Sequence, residues 1–120
     1  MLSEFENGNY VIAGGDWNQN PPGLDITRIQ KYVTKELWPI SRDYFPVDWQ
    51  WVYDPVLPTN RDVDKPFDLS KTTCTIIDFF LLSPNIEKQT VKTIDRQFKL
   101  SDHMPIVLTF QLKQAPFTGL

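Results

Sequence analysis

Apolar residues in this chain fall into short runs divided by polar and proline-rich stretches. Residues 10–13 form such a run between the Asn7-Gly8-Asn9 turn signal and the Gly14-Gly15 pair, which predicts a short buried strand. Trp49, Trp51 and Tyr53 alternate with Gln50, Val52 and Asp54, the period of two of a strand, and Pro55 ends it. That alternation fits rings packed in a core better than a base-stacking platform. The strongest strand pattern covers 75–82 and stops at Ser83-Pro84-Asn85. Further strands are predicted over 90–98 and 106–112. The spacing turns helical only after Asp25: Ile26, Ile29, Tyr32, Val33 and Leu37 recur with that period, Asp25 stands where a cap belongs, and Pro39 lies near the end. Pro, Asp, Lys, Asn and Arg dominate 55–71, which predicts a long ordered surface loop placed to shape access to a site.

Together these elements predict an α/β (α+β) chain with one mixed, largely antiparallel sheet and one or two helices, residues 1–120 forming a single unit. The strands on either side of Ser83-Pro84-Asn85 suggest an antiparallel hairpin, with the last strand joining the same sheet. The run from Ile76 to Leu82 is apolar on both faces and calls for cover on both. One helix cannot supply that. The expectation is a further half of the domain or a second copy of the chain against the remaining face.

The 120 residues are 41% hydrophobic and 13% aromatic, enough to bury a core. A net charge of -3 gives no global attraction to nucleic acid or anionic membranes, so a polyanion would have to be held by a local site or a bridging metal. Cys74 is the single cysteine, which excludes an internal disulfide and a cysteine-based zinc cluster, and its setting suits a small buried strand residue. No apolar stretch is long enough to span a bilayer. The acidic stretch from Ser3 to Asn9 lacks the basic and apolar regions of a signal peptide; compartment is left open.

Three places could carry chemistry. Asp78 lies inside Ile76-Ile77-Asp78-Phe79-Phe80-Leu81-Leu82, where an unpaired carboxylate would cost several kcal/mol, so it needs donors or a cation nearby. It either accepts from loop amides, lies at a bulge or an exposed edge, or bonds the one imidazole of the chain, His103, fixing its tautomer and leaving the other nitrogen for a substrate. His103 stands directly before Met104-Pro105, and the residue before a proline is extended, which puts the histidine at the mouth of the last strand. Asp102 beside it serves equally as a turn residue. Asp16 and Asn18, two apart, point to one side if the backbone is extended, with Trp17 turned into packing. A carboxylate can orient or deprotonate water and a carboxamide can donate to a phosphoryl oxygen, although a Gly-Gly turn followed by polar residues also stands on its own.

In order, Gly15-Asp16-Trp17-Asn18, Ile77-Asp78-Phe79-Phe80-Leu81-Leu82-Ser83 and Ser101-Asp102-His103-Met104-Pro105-Ile106 resemble the C-terminal signature blocks of the endonuclease/exonuclease/phosphatase family of metal-dependent phosphoesterases. The resemblance covers residues 10–112 and implies the C-terminal half of a four-layer α/β/β/α sandwich. It implies that Asp16 positions or activates the attacking water, Asn18 contacts the phosphate, Asp78 orients His103, His103 stabilises the transition state, and Asp102 lies at a Mg2+ or Mn2+ ion. Implied partners are a phosphoester substrate, most simply a phosphodiester, and either the N-terminal half of the domain or a homodimer formed through the sheet face. Nucleases, inositol-phosphate phosphatases and sphingolipid phosphodiesterases all belong to that family, and no long basic run favours DNA. Arg61, with Lys65 and Lys71, could meet a phosphate from the loop; ordinary solvated loop charge accounts for them as well. Ile76 stands where many members carry arginine, and neither the N-terminal asparagine nor the principal metal-binding glutamate has a counterpart, since Glu4 and Glu6 immediately precede the Asp16 strand. A catalytically silent fragment or assembly module is therefore the alternative.

Overall fold

The computed structural model describes residues 1–114. Among them the protein is an α+β domain, mostly strand, with mixed and antiparallel pairing. Its elements are α1 (Leu2–Glu6), β1 (Ile12–Asp16), a single 3-10 turn (Ile26–Arg28), β2 (Val33–Thr34), β3 (Gln50–Val52), β4 (Asn60–Arg61), β5 (Thr73–Thr75), β6 (Asp78–Leu82), β7 (Ile86–Thr93) and β8 (Ile106–Leu112). The pairing divides among three small groups: β1-β6-β3 antiparallel, β2-β5-β4 mixed, and the antiparallel ribbon β7-β8. No described helix is long and apolar enough to cross a membrane.

The strand expected over 75–82 is two strands with a step at Ile76 and Ile77. Thr59, 1% exposed, makes the step possible: its Oγ1 accepts from the amides of Ile77 and Asp78 at 3.0 and 3.1 Å, supplying partners that neither ladder offers. The hairpin expected at Ser83-Pro84-Asn85 does not form. β6 takes β1 and β3 as neighbours, so the chain leaves that group at Ser83 and β7 pairs with β8 instead.

The helix expected after Asp25 is also replaced. Asp25 does cap, accepting from the Thr27 amide at 3.0 Å, but only one 3-10 turn follows. Lys31 then adopts φ 74°, which no helix accommodates, and β2 begins at Val33. Ile29, Tyr32 and Ile40 are buried as anchors of an irregular segment. Asn20, 2% exposed, holds that segment to the core: its Nδ2 donates to Thr75 Oγ1 and the Ile76 carbonyl, both at 2.8 Å, and its Oδ1 accepts from the Leu37 amide at 2.6 Å.

Strand alternation divides the core in two. On one face of β6, Phe79 packs with Ile29, Tyr32, Ile40, Cys74, Ile76, Phe98 and Met104, against which Trp17 and Trp51 lie. Trp17 stacks on Phe79 at 5.4 Å and its indole donates to the Phe79 carbonyl at 2.9 Å. The aromatic positions of the β3 segment thus serve the core. On the other face, Leu82, Val52 and Ile86 cluster with Phe80, Val91 and Leu108, so the β7-β8 ribbon supplies part of the second cover. The Phe80 ring lies over Gly14, its cross-strand partner, where a Cβ would come within 2.6 Å of the ring. Gly15 follows at φ 137° and delivers Asp16 to the rim.

Candidate functional site

Two strand pairs meet at this rim. Asp16 faces Asp78 in the β1-β6 register, and the Trp17 amide donates to the Ile77 carbonyl at 2.8 Å beside them. This is a non-hydrogen-bonded pair, the type in which facing side chains stand closest. The same geometry recurs between Asn60 of β4 and His103: the bridge is flanked by Arg61 N donating to Asp102 O at 3.0 Å and Met104 N donating to Thr59 O at 2.8 Å. Thr59 belongs to both arrangements, holding β6 through its hydroxyl and the His103 segment through its carbonyl.

These constraints bring Asp16, Asp78 and His103 together. His103 Nδ1 and Asp78 Oδ2 lie 2.7 Å apart, the distance of a strong charge-assisted bond. His103 Nε2 lies 3.8 Å from Asp16 Oδ2. That is longer than a hydrogen bond and is a spacing at which one oxygen atom can reach both groups. Partial burial of the ring by itself lowers the His103 pKa; the Asp78 hydrogen bond and the charges of Asp78, Asp102 and Asp16 outweigh it and hold the pKa above the usual 6.5.

Asn60 was not singled out by the sequence. Its Nδ2 stands 3.2 Å from His103 Nε2 and also donates to the Asp102 carbonyl at 3.2 Å. A carbonyl only accepts, so this contact fixes the amide with its nitrogen toward the ring. In the neutral ring Nε2 is then the acceptor, and the proton sits on Nδ1 toward Asp78. The signal that could have found Asn60 is slight: a carboxamide between two β-compatible residues in a segment otherwise read as loop.

The other expected residues are placed as follows. Asn18 has φ 54°, and its amide donates to Asp16 Oδ1 at 2.8 Å in a tight Asx-type turn. The extended geometry expected for Asp16 and Asn18 is therefore absent; Asn tolerates this left-handed conformation, and the turn leaves Asp16 Oδ2 toward His103. Asp102 acts through its carbonyl, which takes Asn60 Nδ2 and the Arg61 amide, and its carboxylate contributes charge near His103. The Arg61 guanidinium lies 6.0 Å from the Phe67 ring and donates to the Asp62 carbonyl, so no contact ties it to the cluster. Its Nε is buried with no partner among the described residues. Lys65 and Lys71 line an open cleft with Asp62, Asp64 and Asp68, which shares no lining residue with the cluster. The loop expected over 55–71 thus contains β4, tied into the core at Thr59.

Asp16, Asp78 and His103 are the group among the described residues whose donor atoms lie within 4.8 Å of one another, and Asp102 is not in it. As a cradle for Mg2+ or Mn2+ the group fits incompletely. Such hard cations take oxygen ligands in near-octahedral array. Here Asp78 Oδ2 and His103 Nδ1 are committed to each other, and Asp16 Oδ1 accepts from the Asn18 amide. Protein families, curated proteins and solved structures offer no match to the chain.

Proposed function

We propose that this chain contributes to a site that hydrolyses a phosphoester, in the first instance a phosphodiester. One observation carries the reading: the 2.7 Å contact between His103 Nδ1 and Asp78 Oδ2, with Asp16 across the strand pair on the open side of the ring. A carboxylate-oriented imidazole with a raised pKa donates from Nε2 when charged, and so binds an oxygen on which negative charge develops. Asp16, with one oxygen held by the Asn18 amide, presents the other as acceptor for a water proton. Asp78 holds the ring and balances the imidazolium. Asn18, exposed at the turn beside Asp16, serves as the further phosphate contact. This division of labour also agrees with the family resemblance of the three sequence blocks.

In this reading a divalent metal would neutralise phosphoryl charge. The cluster by itself supplies too few free oxygens to hold one firmly, so the residues above are given no step that depends on it. The test is hydrolysis of a chromogenic phosphodiester by the purified chain, with Mg2+, Mn2+ or EDTA, beside His103→Ala. The expected result is turnover reduced at least 10²-fold by the substitution. Turnover that is unchanged in His103→Ala would sink the proposal.

The incomplete ligand set favours a second reading, a silent fragment or assembly module. Ile12 at the rim strand and Val107, Phe110 and Leu112 on the ribbon are each more than 40% exposed. Phe110 and Leu112, which share one face of β8, suit the expected union with another half-domain or a second copy. A folded chain that shows no turnover under any metal condition, yet elutes as a dimer, supports this reading over the first.

A further inference from the structure

Asn60 belongs to neither the strand pair that holds the carboxylates nor the motifs that suggested the chemistry, yet its amide occupies the position in front of His103 Nε2. A substrate oxygen that displaces this contact and bonds Nε2 stays within reach of the same amide. We infer that Asn60 is a substrate-binding residue: its amide donates to the same phosphoryl oxygen as His103, and in the free protein it donates to the ring nitrogen instead. The inference rests on the phosphoester reading above and adds a second donor to it.

Three observations lead there. The non-hydrogen-bonded pairing of Asn60 with His103 sets their side chains side by side, so both can converge on one atom. The bond to the Asp102 carbonyl prevents the amide from turning its oxygen to the site, where it would repel an anion. The second amide hydrogen is spent on Nε2, an acceptor only while the ring is neutral. An incoming phosphoryl oxygen that takes the place of this contact lies between two groups able to donate to it, the Asn60 amide and His103 Nε2. Asp16 and Asp78 carry acceptors only, so donors to a bound oxygen must come from other residues.

The test uses inorganic phosphate as the probe and the His103 ring as the reporter, since the chain has a single histidine whose ring nitrogens can be read without assignment ambiguity. In the phosphate-free protein the Nε2 resonance is expected to move in Asn60→Ala, because a hydrogen-bond donor is removed, while the Nδ1–H bonded to Asp78 stays. An Nε2 resonance identical in both proteins overturns the inference at once. On titration, phosphate is expected to shift Nε2 in the native chain and to need roughly ten-fold more, the scale of one hydrogen bond to a charged group, in Asn60→Ala. Asn60→Asp keeps the side-chain shape but replaces the donor with a carboxylate, and is expected to abolish the response. A native response retained equally in both variants removes the role of Asn60 and leaves the phosphoester reading standing. A native chain whose ring ignores phosphate removes both.

Discussion

Asp16 and Asp78 face each other directly across a non-hydrogen-bonded strand pair, with the His103 imidazole bonded to one and 3.8 Å from the other. Like charges directly opposite in a sheet are unfavourable, and a cation between them reverses the sign. Their charges help to hold the pKa of the ring above its ordinary value. Asp16→Asn removes one of the charges that raise the His103 pKa, and the expected outcome is a lower titration midpoint for the ring, read from its carbon-bound proton signals. A midpoint unmoved by the substitution would show that the Asp16 charge does not reach the ring.

The same pairing makes folding stability depend on pH with a defined sign. His103 has a folded pKa raised above 6.5, so the charged ring contributes stability that is fully present below about pH 6.5 and is lost as pH rises through the folded value. Denaturant unfolding should therefore show the His103 contribution declining from weakly acidic toward alkaline pH. In Asp78→Asn that part of the slope should flatten. Parallel pH profiles for the two proteins would contradict the pairing.

Thr59 is the clasp between the β6 step and the His103 segment. Thr59→Val keeps the volume and removes the acceptor for the Ile77 and Asp78 amides, leaving buried donors without a partner. The cost is about 2 kcal/mol, from the penalty for an unsatisfied buried group. Chemical denaturation measures it, and the Asp78–His103 proton signal should weaken in parallel.

Gly14 is required by Phe80. Gly14→Ala places a methyl carbon where the ring now lies, within 2.6 Å of Phe80 Cδ1. Either the ring or the strand has to move, at a cost of about 1–3 kcal/mol. Gly14→Ala combined with Phe80→Leu should recover part of the loss, and a single substitution without effect on the unfolding midpoint would refute the close approach.

Cys74 has no accessible surface, and burial, ahead of the nearby Asp62 charge, pushes its thiol up to about 11. A neutral, enclosed thiol reacts slowly. A thiol reagent at pH 8 should label the native chain only at the rate at which it unfolds, and denatured chain at once. Rapid labelling under native conditions would mean that the Cys74 region opens locally.

The parts of the site written in contiguous residues were legible. The pairing of Asp78 with His103 follows from a carboxylate set in an apolar run and an imidazole at a strand mouth, and β8 begins and ends where its pattern said. What escaped notice depends on distant contacts. β4 is two residues long, and the prolines and charges around it carry no strand rhythm, so Asn60 and Thr59 gain their roles only from β5, β6 and the His103 segment. The helical spacing after Asp25 misled for a related reason. Ile29 and Tyr32 are buried singly in the core while Asn20 fixes the backbone at Leu37, and anchors along an irregular path can share a period with a helix. The turn at Asn18 was hidden because the choice between an extended and a left-handed asparagine is made by its amide bond to Asp16.

Asn60 and His103 are 43 residues apart, and Asp78 and His103 are 25 apart. No local segment contains more than one strand of this rim, so each contact between its strands closes a long loop before it gains anything. The last of these closures waits for the His103 segment, which reaches β4 only after residues 60–103 have found their path. Assembly of the rim is therefore expected late in folding, limited by chain topology rather than by helix or hairpin formation. A ligand that binds the assembled rim slows unfolding rather than speeding folding, so added phosphate should lengthen the native lifetime and leave the refolding rate unchanged.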